Sequence, residues 1–163
     1  MALRKHREGE LAIEQTRDLA RVKTILADAG LMTDGVDWPA ACYLIAFIGD
    51  APIGVAGIEA KVDAAIIRSV WVAPSMRRRG IGAQLLTAAR KAAHTRGARH
   101  LYLFSTEAGD WFRRFGFEEV PIARVVEELT GTPQVDYYRA RPDELAREVA
   151  FHLDISQDGV ITR

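Results

Sequence analysis

Three apolar runs of strand length follow one another in the middle of the chain and constrain its fold most. They cover residues 42–48, 53–59 and 64–73. Gly49-Asp50-Ala51-Pro52 supplies turn residues after the first run, and Lys61-Val62-Asp63 separates the second from the third. Pro74 ends the third run, because proline cannot continue a strand ladder. Connections this short join antiparallel neighbours, so the pattern predicts a meander of three strands.

Helical periodicity flanks the meander on both sides. Before it, a short strand over 11–15 leads to a helix with Thr16 as N-cap and Gly30 at its C-terminus. After it, a helix is predicted over 80–96, with Gly97 as its C-cap. The apolar positions of the two helices recur three or four residues apart: Leu19, Val22, Leu26 and Ala29 in the first, and Ile81, Leu85, Ala89 and Ala92 in the second.

The remaining third of the chain has weaker patterns. A strand over 99–105 and a short helix over 108–115 come first, and the latter ends at Gly116. A helix over 124–129, a strand over 135–139 and a last helix over 142–153 complete the prediction. This order predicts an α+β fold, with a mostly antiparallel sheet flanked by helices. We expect one domain over 1–163, with a flexible tail at 1–9 and a helical extension over 142–163.

Composition argues against several classes of function. Lys+Arg and Asp+Glu both number 22, so no net charge favours nucleic acid or an anionic membrane, and residues 4–7 are interpreted as a solvated basic tail. No apolar run approaches the roughly 18 residues of a membrane span, and acidic residues interrupt any leader-like stretch. The single cysteine, Cys42, forms no internal disulfide, and His94 and His100 lack partners at metal-ligand spacing and are expected on the surface. These features predict a cytoplasmic enzyme or binding module without a metal.

The stretch from Ser69 to Gly82 carries the chemistry. It reads as a buried strand, a proline stop, the basic loop Arg77-Arg78-Arg79, and a helix that opens with Gly80-Ile81-Gly82. A helix N-terminus offers unpaired N–H groups to anionic oxygens, and glycine lets the backbone approach them. The Walker pattern requires Gly-Lys-Ser/Thr, and the dinucleotide fingerprint requires three glycines in a parallel β-α-β unit, so neither fits. A basic turn that merely caps a helix is the plainer alternative.

In its context the stretch closely resembles the acetyl-CoA-binding signature of the GNAT superfamily of N-acetyltransferases. The resemblance covers about residues 10–140 and includes Ala108-x-x-x-Phe112-x-x-x-Gly116-Phe117, which is similar to the family's short helix ending in Gly-Phe. It implies a sheet that is splayed where acetyl-CoA inserts, with the pyrophosphate on the backbone N–H groups of 78–83. It also implies pairing of the pantetheine arm with the backbone of Val70, Trp71 and Val72. The implied cofactor residues are Val70, Trp71, Val72, Arg77, Arg78, Arg79, Gly80, Ile81, Gly82, Ala83 and Phe112.

A narrower resemblance is more diffuse. Five segments are similar to the arsenic-resistance N-acetyltransferases and to short N-acetylglutamate-synthase-like proteins: Ala29-Gly30-Leu31, Gly57-Ile58-Glu59, residues 67–72, Leu101-Tyr102-Leu103 and Thr132-Pro133-Gln134. This implies a small amino-acid-like amine as acceptor, arsenic-bearing amino acids included. The sequence leaves the oligomeric state open, a homodimer included.

Two residues are candidates for catalysis, and the family's usual acid is missing. The thiol-protonating tyrosine of the family falls on Phe112, which has no proton to give and is expected to pack. Ser105 stands where many relatives have asparagine; it either hydrogen-bonds the pantetheine or simply satisfies the backbone. Tyr102, Tyr137 and Tyr138 are alternative donors. Glu59 is interpreted as a base for the acceptor amine or as a surface partner of Lys61 or Arg68.

Arg68 interrupts an otherwise apolar run and is the candidate for substrate binding. Arginine is costly to bury unpaired, so it either faces solvent or awaits a carboxylate. The second interpretation predicts a clamp on the carboxylate of an amino-acid acceptor. Two other functions stay open. One is an acyl-CoA-binding sensor that has lost turnover, which the lack of a hydroxyl on Phe112 favours; the other is a protein or peptide acetyltransferase.

Overall fold

The computed structural model describes residues 7–159, which contain one seven-stranded sheet with helices on both faces. The strands are β1 (Leu11–Thr16), β2 (Ala41–Ile48), β3 (Ala51–Lys61), β4 (Ala64–Val72), β5 (His100–Phe104), β6 (Glu118–Val120) and β7 (Ala150–Asp154). The helices are α1 (Leu19–Asp28), α2 (Ile81–Thr95), α3 (Gly109–Arg113), α4 (Ile122–Leu129), α5 (Pro133–Arg139) and α6 (Pro142–Leu145). Of the basic tail, only Arg7 lies within the described residues, and it is exposed.

The sheet order is β1-β2-β3-β4-β5-β7-β6, and only the β4–β5 pair is parallel. The predicted meander is therefore confirmed as β2-β3-β4, and the α+β class with it. The long helix α2 crosses over between the parallel strands β4 and β5, as such a connection requires. Among residues 7–159, no helix is long and apolar enough to span a membrane.

Each face of the sheet has its own apolar cluster. On one face, α2 packs with the predicted side chains of Ile81, Leu85 and Ala89 against β2 and β3. On the other, α1 buries Val22 and Leu26 against Tyr43 and Ile45. Helix α1 begins two residues later than expected: Asp18 is its N-cap, whereas Thr16 accepts a hydrogen bond from the Asp18 N–H.

The C-terminal third differs from the prediction. Residues 135–139 belong to helix α5 and not to a strand, because Thr132-Pro133 starts a helix there. The helix expected over 142–153 stops at Leu145, and residues 150–154 form β7 between β5 and β6. The helical extension over 142–163 is therefore wrong, and residues 160–163 lie outside the described part. That 1–163 form a single domain stays a prediction.

Candidate active site

Two neighbouring strands separate in the middle of the sheet and open a cleft. The β4–β5 ladder runs from Ala64 opposite His100 to Ile67 opposite Leu103 and then stops, although β4 continues to Val72. A cavity of about 580 Å³ occupies the gap. The sequence-predicted residues that line it are Arg68, Val70, Trp71, Val72, Arg77, Arg78, Gly80, Ile81, Gly82, Ala83, Ser105 and Phe112. Of the predicted cofactor residues, only the exposed Arg79 is not part of this wall.

A bulge in β4 causes the separation. Arg68 lies opposite Gly57 and Trp71 lies opposite Val55, so β4 carries one residue more than β3 over this interval. Ser69, within the bulge, has a φ of 59°, in the left-handed region that a non-glycine residue rarely adopts. Strained residues of this kind concentrate at functional sites, and a bulge bends its strand out of register. Ser69 also lines the cavity, a role that sequence analysis did not assign to it although it opens the stretch 69–82.

The bulged strand turns backbone groups toward the cleft. The Ala73 N–H donates to the Ile53 carbonyl over 2.8 Å, which makes Gly54 and Val72 a non-hydrogen-bonded pair. The N–H and C=O of Val72 therefore point away from β3, to the side where β5 has moved off. The Val72 carbonyl accepts a hydrogen bond from Arg77 Nε at 3.0 Å. This edge of β4 is available to an extended ligand with amide groups.

Helix α2 begins at the mouth of the same cleft. Its N-cap, Gly80, has a φ of 76°, and Arg78 has a φ of 64°. These two left-handed residues turn the loop sharply just before the helix. Within the described residues, the N–H groups of Ile81, Gly82 and Ala83 have no acceptor. A Cβ placed on Gly82 would lie 3.4 Å from the Trp111 ring, so Gly82 stands at the cavity wall. Free N–H groups, two arginines and a glycine fit an anionic pyrophosphate.

Arg68 and Glu59 form a buried ion pair at the inner end of the cleft. Glu59 is fully buried and Arg68 is 2% exposed, with 2.8 Å between Arg68 Nη1 and Glu59 Oε2. Nη1 also donates to the Asp34 carbonyl and Nη2 to the Met32 carbonyl, at 2.6 and 2.9 Å. Nε donates to Ser69 Oγ, and Glu59 Oε1 accepts from the Gln134 N–H at 2.8 Å. Burial raises the pKa of the Glu59 carboxyl, and the hydrogen bond from Arg68 partly offsets this.

These contacts argue against the roles predicted for Arg68 and Glu59. Four of the five N–H groups of Arg68 already have acceptors, which leaves too few for a two-pronged grip on a substrate carboxylate. Glu59 lies behind Arg68 and Gln134, outside the cavity wall, and both of its oxygens are engaged, so it is not placed to deprotonate an amine directly. The interpretation of Glu59 as a partner of Arg68 is correct, although the pair is buried and not at the surface.

Comparison with known proteins identifies the architecture. Residues 39–119, from β2 to the start of β6, match the family of acetyltransferase (GNAT) domains. The chain carries a GNAT acetyltransferase domain. The match includes the bulged strand, the loop of arginines and helix α2, which are the elements that build the cleft.

Solved structures agree with this GNAT fold. N-acetylglutamate synthase from Neisseria gonorrhoeae, complexed with coenzyme A and N-acetyl-glutamate, is 20% identical with a TM-score of 0.64. The match covers 91% of this chain and 36% of that one, so this chain spans about a third of the synthase. Rv2747 from Mycobacterium tuberculosis, in complex with CoA and NLQ, is 19% identical with a TM-score of 0.65, over 88% of this chain and 98% of that one. At such identities the likeness shows the fold.

In this GNAT domain, Phe112 is a packing residue. It is 7% exposed and lies edge-on to Trp111 and Phe117, at centroid distances of 4.9 and 5.8 Å. Ser105 Oγ accepts from the Ala108 N–H at 3.0 Å, before α3, so the backbone role predicted for it is present. The hydroxyl proton of Ser105 is still available to a ligand, because the Ala108 contact uses only an oxygen lone pair.

The three alternative tyrosines are engaged by other side chains. Tyr102 donates to Glu128 Oε2 at 2.6 Å, and Tyr138 donates to Glu148 Oε1 at 2.7 Å. Burial and these carboxylates raise the pKa of both phenols well above the usual value. The Tyr137 ring stacks on the Arg141 guanidinium at 3.7 Å. None of the three lines the cavity in the described part of the chain.

His100 has a partner that sequence analysis missed. Its Nδ1 lies 3.0 Å from Nε2 of His152, which β7 brings alongside β5. Burial, followed by the charge of Arg124 and then His100, lowers the pKa of His152. Among residues 7–159, no group of three or more His, Cys, Asp or Glu is arranged to hold a metal ion.

Proposed function

We propose that this chain is an acetyl-CoA-dependent N-acetyltransferase whose acceptor is a small amino-acid-like amine. The observation that carries this proposal is the cleft between β4 and β5, with unpaired backbone N–H groups at one end and a polar wall at the other. Neighbouring structures with the same fold are crystallised with coenzyme A, which supports the assignment of the co-substrate.

The residues that line the cleft fit the parts of acetyl-CoA in order. The N–H groups of 81–83 hold the pyrophosphate, and the charges of Arg77 and Arg78 complement it. The Val70–Val72 edge of β4 takes the amides of the pantetheine arm as a further strand would. Phe112 and Trp111 supply apolar surface on the opposite side. The thioester then lies near the bulge at Ser69.

Acetyl transfer forms a bond between the acceptor nitrogen and the acetyl carbon and breaks the carbon–sulfur bond. The amine attacks in its neutral form, and the ammonium of a free amino acid is less acidic than the chain-terminal one, whose pKa is about 7.7–8.0, because its own carboxylate stabilises the charge. The ammonium must therefore first lose its proton to water or to a weak base. A thiolate with a pKa of about 8.5 leaves without full protonation. Ser105, which keeps a free hydroxyl proton at the wall, is our candidate for donating a hydrogen bond to that sulfur.

Charge at the wall favours an acceptor that bears a carboxylate. Among the described residues, the charged side chains that line the cavity are Arg68, Arg77 and Arg78, all of them basic. A second ammonium on the acceptor, as in a polyamine or a lysine side chain, would meet no opposite charge there. An α-carboxylate would meet a positive potential even though Glu59 offsets part of the charge of Arg68. Arsenic-bearing amino acids, as the narrower resemblance implies, belong to the same class.

The first experiment measures thiol release from acetyl-CoA with free amino acids, their α-amides and a lysine-bearing peptide. We expect turnover with at least one free amino acid. The kcat/KM for its α-amide should be at least about tenfold lower than that for the free acid, because a lost charged hydrogen bond is worth about 1.5–3 kcal/mol. Equal rates on acid and amide would overturn the proposed acceptor class. Coenzyme A release with the peptide alone would favour a protein acetyltransferase.

A sensor without turnover is the second candidate function, and Phe112 favours it because the family's acid position has no hydroxyl. The same assay separates the two: tight acetyl-CoA binding without thiol release for any acceptor supports the sensor. A cytoplasmic location and a homodimer stay predictions.

Phe112→Tyr is expected to keep or raise kcat, because it restores a hydroxyl where the family has its acid, and a positioned acid contributes about 10²-fold or more. The acetyl-CoA KM should change by less than about twofold, since the ring still packs against Trp111. Steady-state kinetics with the most active amino acid measures both. Phe117→Tyr is the matched control, because Phe117 is also buried, at 3% exposure, but does not line the cavity. A large fall in kcat for Phe112→Tyr alone would show that the site excludes the hydroxyl.

A further inference from the structure

Two distant segments of the chain meet at the inner end of the cleft. Gly35, between α1 and β2, lies against Pro133, the first residue of α5: a Cβ on Gly35 would be 2.2 Å from Pro133 Cβ. Leu31 and Gln134, which flank this contact, both line the cavity. We call Leu31 and Gln134 the inner wall. It adjoins Arg68, which directly follows the last paired residues of the β4–β5 ladder, whereas α2 begins after the other end of β4.

The buried ion pair fixes both sides of the inner wall. Arg68 donates to the carbonyls of Met32 and Asp34, directly after Leu31, and Glu59 accepts from the backbone N–H of Gln134. These bonds join β3 and β4 to two loops that are about a hundred residues apart in sequence. Arg68 and Glu59 are therefore positioning residues for whatever the inner wall binds.

Gln134 has a polar atom that the fold leaves unsatisfied. Its side chain is 8% exposed, yet its Oε1 has no hydrogen-bond partner among residues 7–159. A buried polar atom without a partner costs about 1–3 kcal/mol, and native proteins keep few of them. The other such atom, the Tyr43 hydroxyl, belongs to a residue outside the cavity wall. Gln134 thus combines a place in the wall with an unused hydrogen-bonding group.

We propose that Gln134 is the residue that recognises the acceptor, an inference that rests on the function proposed above. Its carboxamide pairs with the head group of an α-amino acid once the side chain turns the buried Oε1 toward the cavity that the residue lines: Oε1 accepts from the amine, and Nε2 donates to the carboxylate. Acceptor binding satisfies Oε1, which offsets the cost that it carries in the free protein.

The test compares Gln134→Met and Gln134→Glu with the wild type on the most active amino acid and its amide. Gln134→Met, which keeps the size, should raise the acceptor KM about tenfold or more and leave the acetyl-CoA KM within about twofold. Gln134→Glu should lower the rate on the acid more than on the amide, because its carboxylate repels that of the acid. Gln15→Met, on the exposed face of β1, is the matched control and should change neither KM.

Thermal unfolding gives a readout independent of activity. If Gln134 serves recognition, Gln134→Met removes an unsatisfied buried amide and should unfold at the same or a higher temperature than the wild type. A large loss of stability would mean that Gln134 is structural. Turnover with an unchanged acceptor KM in a folded Gln134→Met variant would overturn this inference and leave the proposed function standing. If the wild type turns over no amino acid, both the proposed acceptor class and this inference are overturned.

Discussion

Arg68→Met is expected to lower the free energy of unfolding by about 3–5 kcal/mol, the range for removing one partner of a buried ion pair. Glu59, which is fully buried, would lose its charged partner and keep only the Gln134 N–H. The carbonyls of Met32 and Asp34 would lose their donors as well. Domains of this kind have only about 5–15 kcal/mol of stability, so the loss is a large fraction. Urea unfolding at pH 7 measures it.

Two further variants make this result specific. Arg68→Met combined with Glu59→Leu removes both charges, so it should recover much of the lost stability, as replacing buried pairs by apolar residues often does. Arg90→Met breaks the ion pair with Asp158, whose side chains are 38% and 21% exposed, and should cost about 1 kcal/mol or less. A loss in Arg68→Met no greater than in Arg90→Met would contradict a buried, stability-bearing pair.

The middle of the fold was predictable because its signals are local. The turn residues at 49–52 and 61–63 join neighbouring strands, so the β2-β3-β4 meander follows without knowledge of distant contacts. Helix α2 likewise carries its start at Gly80, its apolar face and its end at Gly97 within one stretch. Where an element's hydrogen bonds join residues that are near in sequence, the local sequence pattern predicts the element without knowledge of the rest of the chain.

The C-terminal third depended on distant partners. Residues 149–153 are short and apolar, and such a run fits a buried helix or a buried strand equally well. It forms β7 because β5 and β6 offer backbone groups on both sides. Tyr137-Tyr138 favours a strand by propensity, but Thr132-Pro133 starts a helix there. In both places tertiary contacts or a helix start outweighed propensity.

The candidate site divides in the same way. Its anion-binding part consists of backbone groups, and the pattern of glycines in the sequence predicts their position. Accordingly, 10 of the 11 predicted cofactor residues line the cavity. The inner wall rests on side chains from distant segments. Sequence analysis named the stretches that contain Leu31, Ser69 and Gln134 but assigned none of these residues a role. The signal that was present is Arg68: a guanidinium inside an apolar run requires acceptors. Which acceptors, here Glu59 and two loop carbonyls, depends on how the loops fold back.

Gly82→Asp is expected to reduce acetyl-CoA affinity at least about 100-fold, or roughly 2.7 kcal/mol. Its carboxylate would stand in the first turn of α2, where the free N–H groups of 81–83 face the cleft. An anion there both repels the pyrophosphate and takes up the donors that would bind it. Isothermal titration with acetyl-CoA measures the loss.

Stability should move in the opposite direction from affinity, which separates this effect from misfolding. An aspartate in the first turn interacts favourably with the helix dipole, by about 0.3–1 kcal/mol, and α2 has no acidic residue there. Gly82→Ala is the control for size: its Cβ would lie 3.4 Å from Trp111, an ordinary contact, so we expect affinity within about tenfold of the wild type. The predicted signature is thus a Gly82→Asp protein that is folded, at least as stable as Gly82→Ala, and unable to bind. Wild-type affinity in a folded Gly82→Asp variant would place the pyrophosphate elsewhere, because no anion can share that helix start without cost.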